Sequence, residues 1–255
     1  MSKRKFSILS CALPGLCIML LLQAGWGKDW YDLRGGQTQM KSTAAAVDPI
    51  PVKPSFIMTA INKSGSTAQS KNDIDRYTIQ IDIPGFSIDK RTIENTEYSA
   101  VSVPDFVGQN RDIGKPVVPV KIIVVPLPSG KKPVTNVKIG REVEAVVGQI
   151  NPAQTPTVDA KNWPKPPFAK DTAFYASNGA YPNDNIFSSN IEKMRNHRFL
   201  RLAISPMRSL PAEGKVRVAT QIGIDILLED DPSYTSEEDD SLSDPNGFDR
   251  FMFKQ

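Results

Sequence analysis

The sequence predicts an all-β fold: a two-sheet antiparallel β-sandwich or jelly-roll-like barrel with long proline-rich loops. Three observations carry that expectation. Lys215 to Leu228 alternates throughout, with Val216, Val218, Ile222, Ile224, Ile226 and Leu228 on one face and Arg217, Gln221 and Asp225 on the other. That is the period-2 pattern of a strand with one buried face. Tyr77 to Ile83 does the same, with Tyr77, Ile79, Ile81 and Ile83 facing one way. The 21 prolines and 16 glycines, beside 40% apolar residues, suit a turn-rich β globule and not a helical bundle. An alternating face needs a second layer to cover it, so two packed sheets are the natural closure.

In chain order, Ser2 to Lys5 is basic, Phe6 to Leu22 is mostly apolar, and Gln23 to Gly27 offers small residues for cleavage. This layout is that of a secretory signal peptide over 1–27. A secreted chain, extracellular or periplasmic, with no stable membrane anchor after cleavage, is therefore expected. Residues 28–72 read as a flexible N-terminal arm with a first strand at Phe56 to Ile61, and 73–228 as the β domain. Tyr98 to Val103 is a short strand. Gly114 to Gly130 (GKPVVPVKIIVVPLPSG) holds Ile122 to Val125, a β-branched run between proline and glycine breakers, expected to be a central strand buried on both faces. Val134 to Val147 reads as two strands split at Gly140-Arg141. Ile150 to Phe168, with five prolines, should wrap as an ordered loop pinned by Trp163 and Phe168. Phe199 to Ser205 and Lys215 to Leu228 are expected to form a hairpin across the turn Pro211 to Gly214. Residues 229–255 read as an acidic linker followed by an aromatic segment, Phe248, Phe251, Met252 and Phe253.

The composition narrows the chemistry. Cys11 and Cys17 both fall in the leader, so the mature part is expected to carry no disulfide, thiolate site or cysteine nucleophile. His197 is the one histidine and sits in Arg-Asn-His-Arg without a nucleophile motif, which favours a surface or loop histidine over a catalytic one. No cofactor pattern occurs. Glu237 to Asp240 lack the glycine and ligand spacing of a calcium loop. With Lys3, Arg4 and Lys5 assigned to the leader, the 31 basic residues fall level with the 28 acidic ones, so no net basic charge supports nucleic-acid binding.

Several stretches, in order, resemble the propeptide domain of gingipain-type, caspase-like cysteine peptidases. They are Ile79 to Gly85, Tyr98 to Pro104, Gly114-Lys-Pro-Val-Val-Pro-Val, Asn151-Pro-Ala-Gln-Thr-Pro156, Phe174-Tyr175 to Tyr181-Pro182, the Arg198 to Pro206 and Lys215 to Ile226 strands, and Asn246 to Phe253. The resemblance implies a β-sandwich prodomain, non-catalytic in itself, that assists folding of a gingipain-type peptidase domain, in cis or in trans, and blocks its cleft. In arginine-specific relatives, a basic residue just before the Asn-Pro reaches towards the specificity pocket. The matching positions here, Val147-Gly148-Gln149-Ile150, hold none. Either the cognate peptidase has another preference or this chain no longer inhibits. The candidate peptidase-cleft contact is accordingly Val147, Gly148, Gln149, Ile150, Asn151 and Pro152. The sequence given stops where the peptidase is expected to begin, which would make it a separated or truncated precursor. The alternative is a free-standing extracellular or envelope β-sandwich used for binding or assembly.

Overall fold

Ile222, Ile224 and Ile226 are buried almost completely, and the strand that carries them organises the molecule. The computed structural model describes residues 29–34, 39–41, 51–70, 73–110, 112–156, 166–194 and 197–234. Within these the strands are β1 (Asp29–Asp32), β2 (Gln39–Lys41), β3 (Ser55–Ile61), β4 (Arg76–Asp82), β5 (Gly85–Ile93), β6 (Thr96–Ser102), β7 (Gly108–Gln109), β8 (Pro119–Leu127), β9 (Lys131–Val146), β10 (Ile186–Met194), β11 (His197–Ile204), β12 (Met207–Leu210) and β13 (Lys215–Asp230). A four-residue helix, α1 (Thr172–Tyr175), lies between β9 and β10.

β9 pairs with β13 along its whole length, while β12 and then β4 share the opposite edge, and β3 lies outside β4. The register sets Ile222, Ile224 and Ile226 against Ile81, Ile79 and Tyr77, so one face is a continuous apolar layer. A second sheet has the order β10-β11-β8-β7 and a third β2-β1-β5-β6. The pairings between strands are antiparallel. Leu200, Leu202 and Ile204 of β11 and Ile123, Val125 and Leu127 of β8 join the β4 and β13 isoleucines, with Phe86, Ile88 and Val101 of the third sheet, in one core. The antiparallel all-β expectation holds in this sandwich-like packing. Among the described residues the sheets do not close into a barrel.

Several expectations are corrected. β8 is not buried on both faces: Ile122 and Val124 are 47% and 38% exposed, while Ile123 and Val125 point inward. β7 covers only Pro119 and Val120 on its second edge. The strand paired along its full length, by β9, and flanked on most of its other edge by β12 and β4, is β13. β11 and β13 are not a hairpin, because β11 pairs with β8 and β10. The Pro211–Glu213 turn, closed by Gly214 in the left-handed region, joins β12 to β13 instead. The two strands expected over Val134 to Val147 are one, β9, which ends at Val146, and Gly140-Arg141 marks a register shift and not a break. The arm assigned to 28–72 is in part docked structure: β1 pairs with β5 with Trp30 buried, and β3 pairs with β4. The acidic stretch begins inside β13, where Glu229 and Asp230 meet Lys132 and Lys131 across the ladder at 3.6 and 2.6 Å. β5 and β10 were not anticipated. The leader, Trp163, the Glu237–Asp240 cluster and the Phe248–Phe253 segment lie outside the described residues.

Candidate functional site

The segment after β9 cannot continue as a strand, because Gly148 takes φ +79°, a left-handed conformation that suits glycine. Val147 and Gly148 both donate their amides to Gly214 O at 2.9 Å. This fastens the turn to the left-handed glycine at the start of β13. The Val147 carbonyl accepts from the buried Ser99 hydroxyl and from Lys90 Nζ at 3.2 Å.

Beyond Gly148 the chain becomes a strap laced on two sides. Ser99 N donates to Gln149 O at 2.7 Å and Asn151 N donates to Ser99 O at 3.1 Å, a parallel bridge to β6. On the other side Val117 N donates to Asn151 O, Ala153 N to Lys115 O and Gly114 N to Ala153 O, at 2.8 to 2.9 Å. Tyr175 of α1 donates its hydroxyl to Ile150 O at 2.6 Å. Burial is the main cause that pushes the Tyr175 pKa up, with Tyr98 adding to it, so the phenol stays a donor. Gln154 closes the seam by donating to Ala169 O and accepting from Ala169 N.

α1 is held in place by charge. Asp171 caps it by accepting from Phe174 N at 2.9 Å and pairs with Lys115 at 2.7 Å. The Lys115 hydrogen bond, with the Phe174 amide second, holds the Asp171 carboxyl below its ordinary range. Lys115 also sits 3.9 Å over the Phe174 ring, and Lys170 lies over Tyr98 and Tyr175 at 5.2 and 4.8 Å. Tyr181 donates to Asp112 Oδ2 at 2.6 Å. Burial first, and this carboxylate partner second, push its pKa up.

Of the six residues picked out from the sequence, Val147, Ile150 and Pro152 are buried in the chain's own core, Gly148 and Asn151 are half-buried, and Gln149 is exposed. Gln149 Oε1 accepts from Lys170 Nζ at 2.9 Å. Past the strap, Gln154, Thr155 and Pro156 are exposed. The structure therefore brings together stretches that looked separate: Gly114 to Val117, Asn151 to Gln154, and Phe174-Tyr175 are all hydrogen-bonded to one another or to the same strap. Sequence reasoning missed Ser99, Lys90 and Lys170. Ser99 had no marker beyond its place in an alternating strand. His197 opens β11, opposite Met194. Among the described residues no three His, Cys, Asp or Glu side chains are grouped to hold a metal ion.

Three antiparallel sheets on one core, with a proline-bearing strap laced to β6 on one side and to Gly114 to Val117 on the other, define a β-rich domain. The chain belongs to the Propeptide_C25 family, the propeptides of gingipain-type peptidases, whose model matches residues 65–246. The fold is similar to that in the structure entitled "Structural insight into zymogenic latency of gingipain K from Porphyromonas gingivalis", at 19% identity and TM-score 0.55, over 70% of this chain and 100% of that one. It is also similar to a chain in "Complex of Porphyromonas gingivalis RgpB pro- and mature domains", at 13% identity and TM-score 0.51, over 70% of this chain and 90% of that one. None of the curated proteins compared with the sequence matches it. Among the described residues no helix is long and apolar enough to cross a membrane.

Proposed function

We propose that this domain is a non-catalytic, secreted propeptide module that binds the peptidase domain of a gingipain-type cysteine peptidase, in cis or in trans, assists its folding and keeps it latent. The observation that carries the reading is the strap. Gln149 is exposed while its own carbonyl, and the amides and carbonyls around it, are already tied to Ser99, Lys115, Val117 and Tyr175. A segment fixed before it meets a partner loses little conformational freedom on binding. The candidate contact, Val147 to Pro152, would act with Val147, Ile150 and Pro152 as the buried roots and Gln149 as the side chain offered to the partner's cleft. Gln154 to Pro156 would extend the contact. Family membership and the subjects of the two similar structures, latency of gingipain K and a complex of RgpB pro- and mature domains, support a peptidase-domain partner. The leader-like start and the placement of both cysteines within it support export and a non-catalytic role.

Titration of an active gingipain-type peptidase with the purified chain tests this. Activity falling to a plateau near one equivalent is the expected outcome. Full activity at a large excess, with no complex by size exclusion, would overturn it.

A further inference from the structure

The outward faces of β8, β11 and β10 make one continuous surface. It forms the floor of a groove of about 1160 Å3, walled by Val107, Ile113, Ile122, Phe187, Pro152 and Pro156. Val107 is 94% exposed, and Ile113 and Ile122 are nearly half exposed. The volume exceeds the roughly 300 to 1,000 Å3 of small-molecule pockets, and the lining mixes the apolar side chains with polar ones from Gln109, Asn151, Gln154, Ser188 and Arg201, which suits a length of chain that carries both. Asn151 Oδ1 lies on this wall, buried and with no hydrogen-bond partner among the described residues. A buried acceptor in that state can take an N–H donor from a segment that fills the groove.

This chain carries a segment of matching chemistry. Phe248, Phe251, Met252 and Phe253 lie within a stretch of six residues that also contains Asp249. The segment follows an acidic linker with almost no apolar residue. The point of departure is fixed: Arg198 lies over the Tyr234 ring, and Arg198 pairs in register with Leu127, at the far end of the β8–β11 ladder. From Leu127 to Ile122 is five residues of strand, about 17 Å. About 14 residues separate Tyr234 from Phe248, which span up to roughly 46 to 50 Å when extended. The linker therefore reaches the groove with slack, and a tether of this length gives a high effective concentration. Arg201, in the groove, has among the described residues a long 3.9 Å contact with Glu192, which leaves it able to take the Asp249 carboxylate.

We propose that the groove on the outer face of β8 and β11 is the docking site for the chain's own segment Phe248 to Phe253, with its backbone N–H groups offered to Asn151 Oδ1. This docking needs no peptidase, and because the groove wall includes Asn151, Pro152 and Pro156, which the proposed peptidase contact also uses, the two occupants would compete. The test uses the full chain with p-benzoylphenylalanine in place of Phe251, irradiated at low concentration and mapped by mass spectrometry. Crosslinks within one chain to Ile113, Ile122 or Phe187 are expected. Crosslinks confined to other surfaces, crosslinks only between chains, or no crosslink overturn the proposal. Ile122→Glu, at a half-exposed position, should lower the yield at least about tenfold with an unchanged melting curve, since a buried charge opposes an apolar side chain. Ile113→Glu on the facing wall should do the same. An undiminished yield in whichever of the two variants is folded also overturns it.

Discussion

Tyr175→Phe isolates the bond that ties α1 to the strap. The ring stays and the hydroxyl goes, so packing is conserved and the Ile150 carbonyl loses the 2.6 Å donor it has from Tyr175. Leaving a buried carbonyl without its donor costs about 1–3 kcal/mol. For a domain of this size a urea m-value near 3 kcal/mol/M is expected, so the midpoint should fall by about 0.3 to 1 M with m unchanged. Ser99→Ala provides the comparison. The Val147 carbonyl keeps Lys90 Nζ at 3.2 Å when the Ser99 hydroxyl is removed, so its cost should be smaller, about 0.5–1.5 kcal/mol. Amide hydrogen exchange should show faster opening at Asn151 and Ala153 in Tyr175→Phe, with Ile224 unaffected. A midpoint within about 0.1 M of wild type, or a larger loss for Ser99→Ala than for Tyr175→Phe, would refute the reasoning that Tyr175 anchors the strap.

Two further perturbations test the packing and the electrostatics. Ile123→Ala should cost about 2–5 kcal/mol, and its neighbour Ile122→Ala less than about 1 kcal/mol, because Ile123 is buried and Ile122 half exposed; equal losses in thermal unfolding would restore the picture of β8 as buried on both faces. Asp171 has a folded pKa below its ordinary 3.8. Its favourable contribution is therefore present above that value and lost as pH falls through the lower folded value. The stability gap between wild type and Asp171→Asn, which keeps the helix cap but not the charge, should shrink on acidification from about pH 5 to pH 2; a constant gap in urea titrations would show that the Lys115 contact contributes nothing.

β4 and β13 were legible in the sequence because each has one fully buried face and one polar face, so the pattern of Ile79, Ile81, Ile222 and Ile224 against Gln80 and Gln221 survives intact. β5 was not. From Gly85 to Ile88 both faces are covered, with Ser87 bonded to Ser102 across the ladder, and from Asp89 onward the strand turns polar, so no period stands out. β10 is an edge strand in which Ser188, Ser189 and Asn190 dilute the signal. At β8 the opposite error arises: Ile122 and Val124 are apolar yet outward, Ile122 lining a groove, and an apolar run alone cannot reveal which face is open. The docking of β1 depends on Gly85, where a Cβ would overlap Tyr31 O and the Trp30 ring, a contact between residues far apart in sequence. The strap was legible as a proline-rich departure from β9, and the proposal that Val147 to Pro152 contacts a partner rests on resemblance. Its lacing to Gly114 to Val117 was not, because single bridges leave no periodic trace, and neither the Ser99 nor the Lys170 anchor follows from local pattern.

The central claim, that the strap meets a peptidase, is tested most directly by the affinity of strap and off-strap variants for a gingipain-type peptidase with its active site blocked. Gln149→Asp changes an exposed tip without touching the core, and Asn136→Ala changes an exposed position on β9 in another sheet. The account predicts binding by wild type, at least about tenfold weaker binding for Gln149→Asp, and Asn136→Ala within about twofold of wild type. Equal Kd values for all three chains, or no binding by wild type at micromolar concentration, would contradict it.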